Sequence, residues 1–245
     1  MPSFKPVKQA RASEEVLGQI KQAILGGEYP AGGKLPSERE LCEQFHVSRV
    51  VVREAIRALE LTGFVRLRQG PSGGAFVQEL TLDRLSSAFM DLFLTSKLSA
   101  RELVEVRSHI EPETARLAAS NPDGECATRL EKAFQEEHSE TLTHSQWVSR
   151  NLAVHYILAS MCRNRFYEAI VTPLLDLTLE MVLVVKPSHK VIHDHQEHEL
   201  IIDAVISQDP DAAAQAMKEH VSKVGASLIE LERDYRRKKG LKQGP

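Results

Sequence analysis

Two helix-start signals lie only eleven residues apart in this chain, at Ser37 and Ser48, and that spacing restricts the fold of the first third more than any other feature. In Ser37-Glu38-Arg39-Glu40 the serine hydroxyl and the Glu40 carboxylate have capping-box spacing, placed to satisfy backbone groups that a first helical turn leaves open. A short helix is predicted from there to about Phe45. Ser48 opens a second, SRVVVREAIRALELTG, with Val52, Ile56 and Leu59 on one face and Gly63 placed to end it. His46-Val47 separates the two, and histidine tolerates a left-handed backbone better than most non-glycine residues. Two helices joined by so tight a turn form a helix-turn-helix.

The flanking residues extend the motif. Ser13 precedes Glu14, Glu15 and helically spaced Val16, Leu17, Ile20 and Ile24, so an earlier helix is predicted with Ser13 as its N-cap and Gly26-Gly27 as its stop. Beyond Gly63, Phe64 to Arg68 alternates with period two, Gln69 to Gly74 turns, and Ala75-Phe76-Val77 returns as the second strand of a wing. Ser48, Arg49 and Arg53 fall at the leading end and on the polar face of the second helix, with Arg57 one turn on. A recognition helix enters the major groove by that end, and arginine suits bidentate contact with guanine O6 and N7. Arg39 is placed to hold a phosphate or a base, and Gln69-Gly70 to approach the minor groove or backbone. For any one arginine the alternative is a solvated charge or an ion pair with Glu40, Glu54 or Glu60.

Charge separates this head from the rest. Residues 1–77 hold 11 Lys/Arg against 8 Asp/Glu, residues 78–233 hold 15 against 25, and residues 234–245 hold 5 against 1. A basic head on an acidic body implies that only the head meets a polyanion. The three cysteines, Cys42, Cys126 and Cys162, contain no C-x-x-C pair, which argues against a disulfide framework or a zinc ribbon and favours a reducing cytoplasm. The start MPSFKPVKQA has no apolar core of a secretory signal, and the longest apolar run, Met181 to Val185, is far short of a membrane span, so neither export nor membrane insertion is expected.

From Leu80 onward the patterns are helical. Ser99 with Glu102 makes another capping box, opening a run in which Pro112 is expected to introduce a kink and Asn121-Pro122-Asp123-Gly124 a stop. Further helices are predicted over about 125–140, 145–162, 164–186, 189–207 and 210–237, the last with Asp209 as N-cap and Pro210 at its first position. Six or seven helices make an antiparallel bundle with a central cavity. The predicted division is therefore a winged helix-turn-helix domain over 1–77, a linker over 78–82, an all-helical domain over 83–233 and a basic tail over 234–245 that is expected to fray beyond the last helix.

Nine of the ten histidines lie in the acidic body, and three carry chemistry. Asn151 and His155 are four residues apart and share a helix face, while His198 and His220 are bordered by apolar residues that turn them inward. Three neutral imidazoles from three helices suit divalent zinc, nickel or manganese, with positions left for water or an organic carboxylate. For each histidine alone, a hydrogen-bonded core residue is the plainer alternative.

The stretch KLPSERELCEQFHVSRVVVREAIRALELTGFVRLRQGPSGGAFV resembles the GntR family of bacterial transcription regulators across residues 34–77. The resemblance implies operator contacts from Arg39, Ser48, Arg49, Arg53, Gln69 and Gly70. Val50 and Val51 stand where many relatives carry threonine or another small polar residue, and a valine there suits a thymine methyl. The body resembles the FCD ligand-binding domain of the FadR-type subfamily through LVEVRSHIEPETARLAA, NLAVHYILASMCRN and EHELIIDAVISQDPDAAAQAMKEH. That implies a metal site at Asn151, His155, His198 and His220, with asparagine instead of the more usual aspartate as the first ligand. Asp194 is a possible replacement, whereas His193 and His195 are read as surface residues. Arg107 resembles a pocket arginine that clamps an effector carboxylate, its alternative being an ion pair with Glu111.

Together these features lead us to expect a cytoplasmic, homodimeric, DNA-binding regulator that recognises a pseudo-palindromic double-stranded operator and responds to a small carboxylate held through a divalent metal, with no membrane partner. The rival expectations are a metal-dependent hydrolase carrying a DNA-binding head, which lacks an obvious general base, and a metal sensor with no organic effector.

Overall fold

The computed structural model describes residues 10–121, 124–137, 142–185 and 195–240. The chain divides into two compact units, Met1–Thr81 and Leu82–Pro245.

The first unit contains α1 (Ala10–Leu25), α2 (Glu38–Phe45), α3 (Arg49–Leu61), β1 (Val65–Arg68) and β2 (Gly74–Val77). The Ser37 capping box forms in both directions, and His46 adopts the left-handed turn at φ 54°. Ser13 is not an N-cap, because α1 already runs from Ala10: alanine and arginine are good helix formers and carry the helix past the local capping signal. The strands pair antiparallel from Val65 with Val77 to Arg68 with Gly74. Residues 32–35 lie along the other edge of β2, Leu35 N donating to Ala75 O at 2.9 Å and Val77 N to Gly33 O at 2.8 Å. Gly73 is required at the wing turn, since a Cβ there would collide with the carbonyl oxygens of Arg68 and Gly70. Val16, Ile20, Leu41, Val52, Ile56, Leu59 and Val77 form the core, as the helical and strand periodicities demand.

The second unit is all-helical among the described residues: α4 (Asp83–Leu94), α5 (Ala100–Ser120), α6 (Gly124–Glu137), α7 (His144–Met161), α8 (Arg165–Val185), α9 (His195–Ile206) and α10 (Pro210–Lys239). The caps at Ser99 and Asp209 form, and α5 runs unbroken through Pro112. α4 precedes the first helix delineated in the sequence and is tied down by one carboxylate: Asp176 on α8 accepts from Ser86 on α4 at 2.7 Å and from Tyr156 on α7 at 2.5 Å. α10 lies close against α5 because residue 225 is glycine, where a Cβ would collide with Val104. No helix among the described residues is long and apolar enough to cross a membrane.

Correction is needed at the end of the chain. The last helix, expected to end at about 237 with the basic tail fraying beyond it, runs to Lys239, where Gly240 caps it at φ 65°. Arg236 is buried, paired with Glu232 at 2.5 Å, bonded to Ser96, and donates to Leu98 O at 3.1 Å. Its charge therefore holds the turn between α4 and α5, a structural use that a run of basic residues does not advertise.

Two apolar clusters fill this unit, one around Leu130, Leu158, Ile201, Met217 and Val221 and the other around Phe93, Leu103, Leu175, Val224 and Leu228. α5, α7 and α10 contribute to both. On α5 the handover falls between Leu103 and Ala115, and on α10 between Val221 and Val224; the buried polar residues Arg107, Glu111 and His220 occupy or border these stretches. The bundle thus keeps a polar layer between two apolar ones.

Candidate functional site

In the head, Ser48 is the N-cap of α3 by backbone conformation, but its side chain makes no cap hydrogen bond. Arg49 and Arg57 are exposed on the same helix. Arg53 is exposed and paired with Glu38 of α2 at 2.9 Å, a partner outside the three glutamates considered from spacing. Arg39 pairs loosely with Glu43 at 3.8 Å. Gln69 and Gly70 sit exposed at the wing turn, with Gly70 at φ 103°. All six residues expected at DNA are therefore on the surface of this unit.

Val50 to Val52 divide sharply. Val52 is fully buried and Val51 is 9% exposed, while Val50 is 61% exposed between the two arginines. Of the three, only Val50 reaches the surface to any extent.

In the body the three histidines come together. Their Nε2 atoms lie 3.1 Å (His155 to His220), 3.3 Å (His198 to His220) and 3.4 Å (His155 to His198) apart, and all three rings are buried. Three nitrogens bonded tetrahedrally to one zinc ion at about 2.0–2.1 Å would be separated by about 3.3–3.4 Å. Each ring is held from behind by a carboxylate. Nδ1 of His155 meets Glu111, Nδ1 of His198 meets Glu137 at 2.7 Å, and Nδ1 of His220 meets Glu197 at 2.9 Å. Such carboxylate partners fix ring orientation and strengthen imidazole as a metal ligand.

The electrostatics differ from ring to ring. Burial opposes ionisation of Glu111, yet Arg107 and His155 hold its carboxyl far below the usual range. Glu197 is likewise held low, burial being outweighed by hydrogen bonds from His220 and Lys223. Burial pushes His220 down to about 4 and Glu137 up to about 8. Nδ1 of His155 and of His220 is engaged by Glu111 and Glu197, and their Nε2 atoms face each other across 3.1 Å. An imidazole that donates Nδ1–H to a carboxylate keeps Nε2 as its lone-pair donor to a metal.

Asn151 joins this arrangement from one turn before His155. Its Nδ2 donates to Trp147 O at 2.8 Å, while its buried Oδ1 has no hydrogen-bond partner among the described residues. An unsatisfied buried acceptor costs about 1–3 kcal/mol, so an electrophile is the natural complement. Asn151, His155 and His220 line a cavity of about 30 Å³ together with Arg107, Thr178 and Trp147. Arg107 makes the ion pair with Glu111 through Nε, donates from Nη1 to Thr178 at 3.1 Å, and lines the cavity. Asp194 and His193 lie outside the described residues, as does the side chain of His195.

The donor set fits a divalent cation. Sequence reasoning missed Glu137 and Glu197 altogether and treated Glu111 only as a partner of Arg107. Glu137 closes α6 and Glu197 lies in the first turn of α9, places where solvated carboxylates are common, so no local signal marked them.

Comparison with known proteins places these two units. The model for bacterial regulatory proteins of the gntR family matches residues 12–77, and the FCD domain model matches residues 102–223. The HTH-type transcriptional repressor NanR of Klebsiella aerogenes is 30% identical over 237 residues, covering 91% of this chain and 87% of that one. NanR of Cronobacter sakazakii is 29% identical over 245 residues, covering 96% and 92%. The solved structure of Streptococcus agalactiae GntR is similar with a TM-score of 0.68 at 26% identity, covering 88% of this chain and 99% of that one. These relationships replace the hydrolase alternative with a regulator. With an amino-terminal helix-turn-helix and an FCD domain behind it, the chain belongs to the GntR family of bacterial regulatory proteins.

Proposed function

We propose that this protein is a cytoplasmic, homodimeric transcriptional repressor whose operator affinity is set by a small carboxylate bound at a divalent metal in the FCD domain. The observation that carries the effector half is the convergence of three Nε2 atoms at 3.1–3.4 Å beside the orphaned Oδ1 of Asn151. His155, His198, His220 and Asn151 are the ligands, and zinc, nickel or manganese the ions their chemistry suits. Bound there, the metal supplies a Lewis-acidic point at which an anion is held. The cavity accommodates about two water-sized groups, the scale of a carboxyl group. Arg107 sets its orientation, since Glu111 and Thr178 fix the guanidinium at the cavity wall.

The DNA half is supported by the exposed Ser48, Arg49 and Arg53 on α3, Arg39 on α2 and the wing turn at Gln69-Gly70. Two heads related by twofold symmetry suit a pseudo-palindromic operator. An effector changes operator affinity only to the extent that it binds two arrangements of the dimer unequally. The test is operator affinity measured with metal-free protein, with metal alone, and with metal plus a panel of small organic acids. A shift requiring both metal and acid supports the reading. A shift with metal alone makes the protein a metal sensor, and no shift under any condition removes the effector role.

A further inference from the structure

We infer that Val50 is a specificity-determining residue that reads the C5-methyl group of a thymine in each operator half-site; this rests on the DNA-binding reading of α3. The triplet Val50-Val51-Val52 is a poor choice for the first turn of a helix, because β-branched side chains lose rotamer freedom there. Val52 recovers that cost by complete burial, and Val51 by near-complete burial. Val50, mostly exposed, recovers little of it inside its own unit. It stands 61% exposed at the end of the helix that a helix-turn-helix inserts in the major groove, beside Arg49 and one turn before Glu54, with Arg53 on its flank.

The chemistry of the side chain narrows what it can recognise. Valine has neither donor nor acceptor, so it cannot read a base edge by hydrogen bonding. In the major groove the apolar group offered by an unmodified base pair is the methyl of thymine. The single preferred rotamer of valine in a helix presents its two methyl groups in a fixed position, so little entropy is lost on contact. Arg49 and Arg53 carry the guanine-directed hydrogen bonds on either side, and Val50 adds thymine against uracil-like or cytosine edges between them.

The experiment begins with a duplex selected by the full-length protein from a randomised pool. Each thymine is then replaced in turn by deoxyuridine, which removes the methyl and leaves every hydrogen-bonding group in place. At one position per half-site the wild-type protein is expected to lose about fourfold in affinity, the equivalent of roughly 0.8 kcal/mol for a buried methylene-sized group. Val50→Ala is expected to bind the thymine duplex more weakly and to bind thymine and deoxyuridine duplexes equally. Changing that position to cytosine and then to 5-methylcytosine is expected to recover affinity in the wild type alone. Because Val50 is 61% exposed, circular dichroism and melting of Val50→Ala should match the wild type closely. The inference is overturned if no deoxyuridine substitution weakens binding, or if Val50→Ala keeps the full methyl effect. A pool from which no duplex is selected overturns the DNA-binding reading and this inference with it.

Discussion

The head keeps its candidate DNA-binding side chains in water, whereas the FCD domain buries its candidate metal ligands. Arg39, Arg49 and Arg53 are exposed, and the one well-formed pair among them, Arg53 with Glu38, has 59% and 43% of the two side chains in solvent. Surface pairs of this kind are worth about 0–1 kcal/mol, so Arg53 can leave Glu38 for a base or phosphate at little cost. His155, His198 and His220 are 3%, 0% and 2% exposed and each is braced by a carboxylate. Recognition of a polyanion tolerates adaptable donors, because the partner supplies the field. Holding an ion in an apolar bundle requires donors oriented before it arrives. Head variants should therefore alter binding with stability unchanged, and body variants should alter both.

The largest effect that would break this contrast comes from the histidines. His198→Ala combined with His220→Ala is expected to abolish bound metal, read by elemental analysis of purified protein. A full complement of metal in that variant would move the site elsewhere. Next comes Glu111, whose carboxylate joins Arg107 to His155. Glu111→Gln leaves a buried guanidinium without its counter-charge and should lower unfolding free energy by about 3–5 kcal/mol, as measured in urea. A loss below about 1 kcal/mol would show that the polar layer is not preorganised in the manner described.

Arg49→Ala should weaken specific operator binding by about 1–3 kcal/mol and relax base preference. Its unfolding free energy should stay within about 0.5 kcal/mol of wild type, and a larger change would undo the separation of binding from stability in the head.

The finest test is a pH dependence in chelated protein. Burial raises Glu137 to about 8 in the folded state, above its unfolded value. The stability linked to its proton is therefore fully present below the unfolded carboxylate pKa of about 4.3 and is lost as pH rises through 8. Glu137→Gln cannot ionise and should lack this alkaline decline. Parallel stability curves for the two proteins between pH 5 and 9 would mean that Glu137 is ionised throughout that range.

Much of the head was legible because its signals are short-range. The capping box at Ser37, the left-handed His46 and the N-cap at Ser48 each depend on neighbours within four residues. Ser13 misled for the same reason, since a local cap signal says nothing about helix-forming residues before it. In the body, the helices from Ser99 and Asp209 were equally readable, and Asn151 and His155 could be set on one face by counting. α4 went undelineated, and Arg236 was taken for part of a solvated tail, because nothing near either one names its partner. Ser86 is 90 residues from Asp176, and Arg236 is 138 residues from Leu98.

What the chain by itself determined was the order of helices, the basic surface of the recognition helix and the identity of the three imidazoles, all properties of residue type and local spacing. Tertiary structure alone decided that Glu111, Glu137 and Glu197 stand behind those imidazoles, that Asn151 lines one cavity with His155 and His220, and that Val50 but not Val51 faces out. The carboxylates lie 44, 61 and 23 residues from the histidines they brace. Pairings over such distances are set by how helices pack, through the summed burial of many apolar side chains, and no local pattern encodes them.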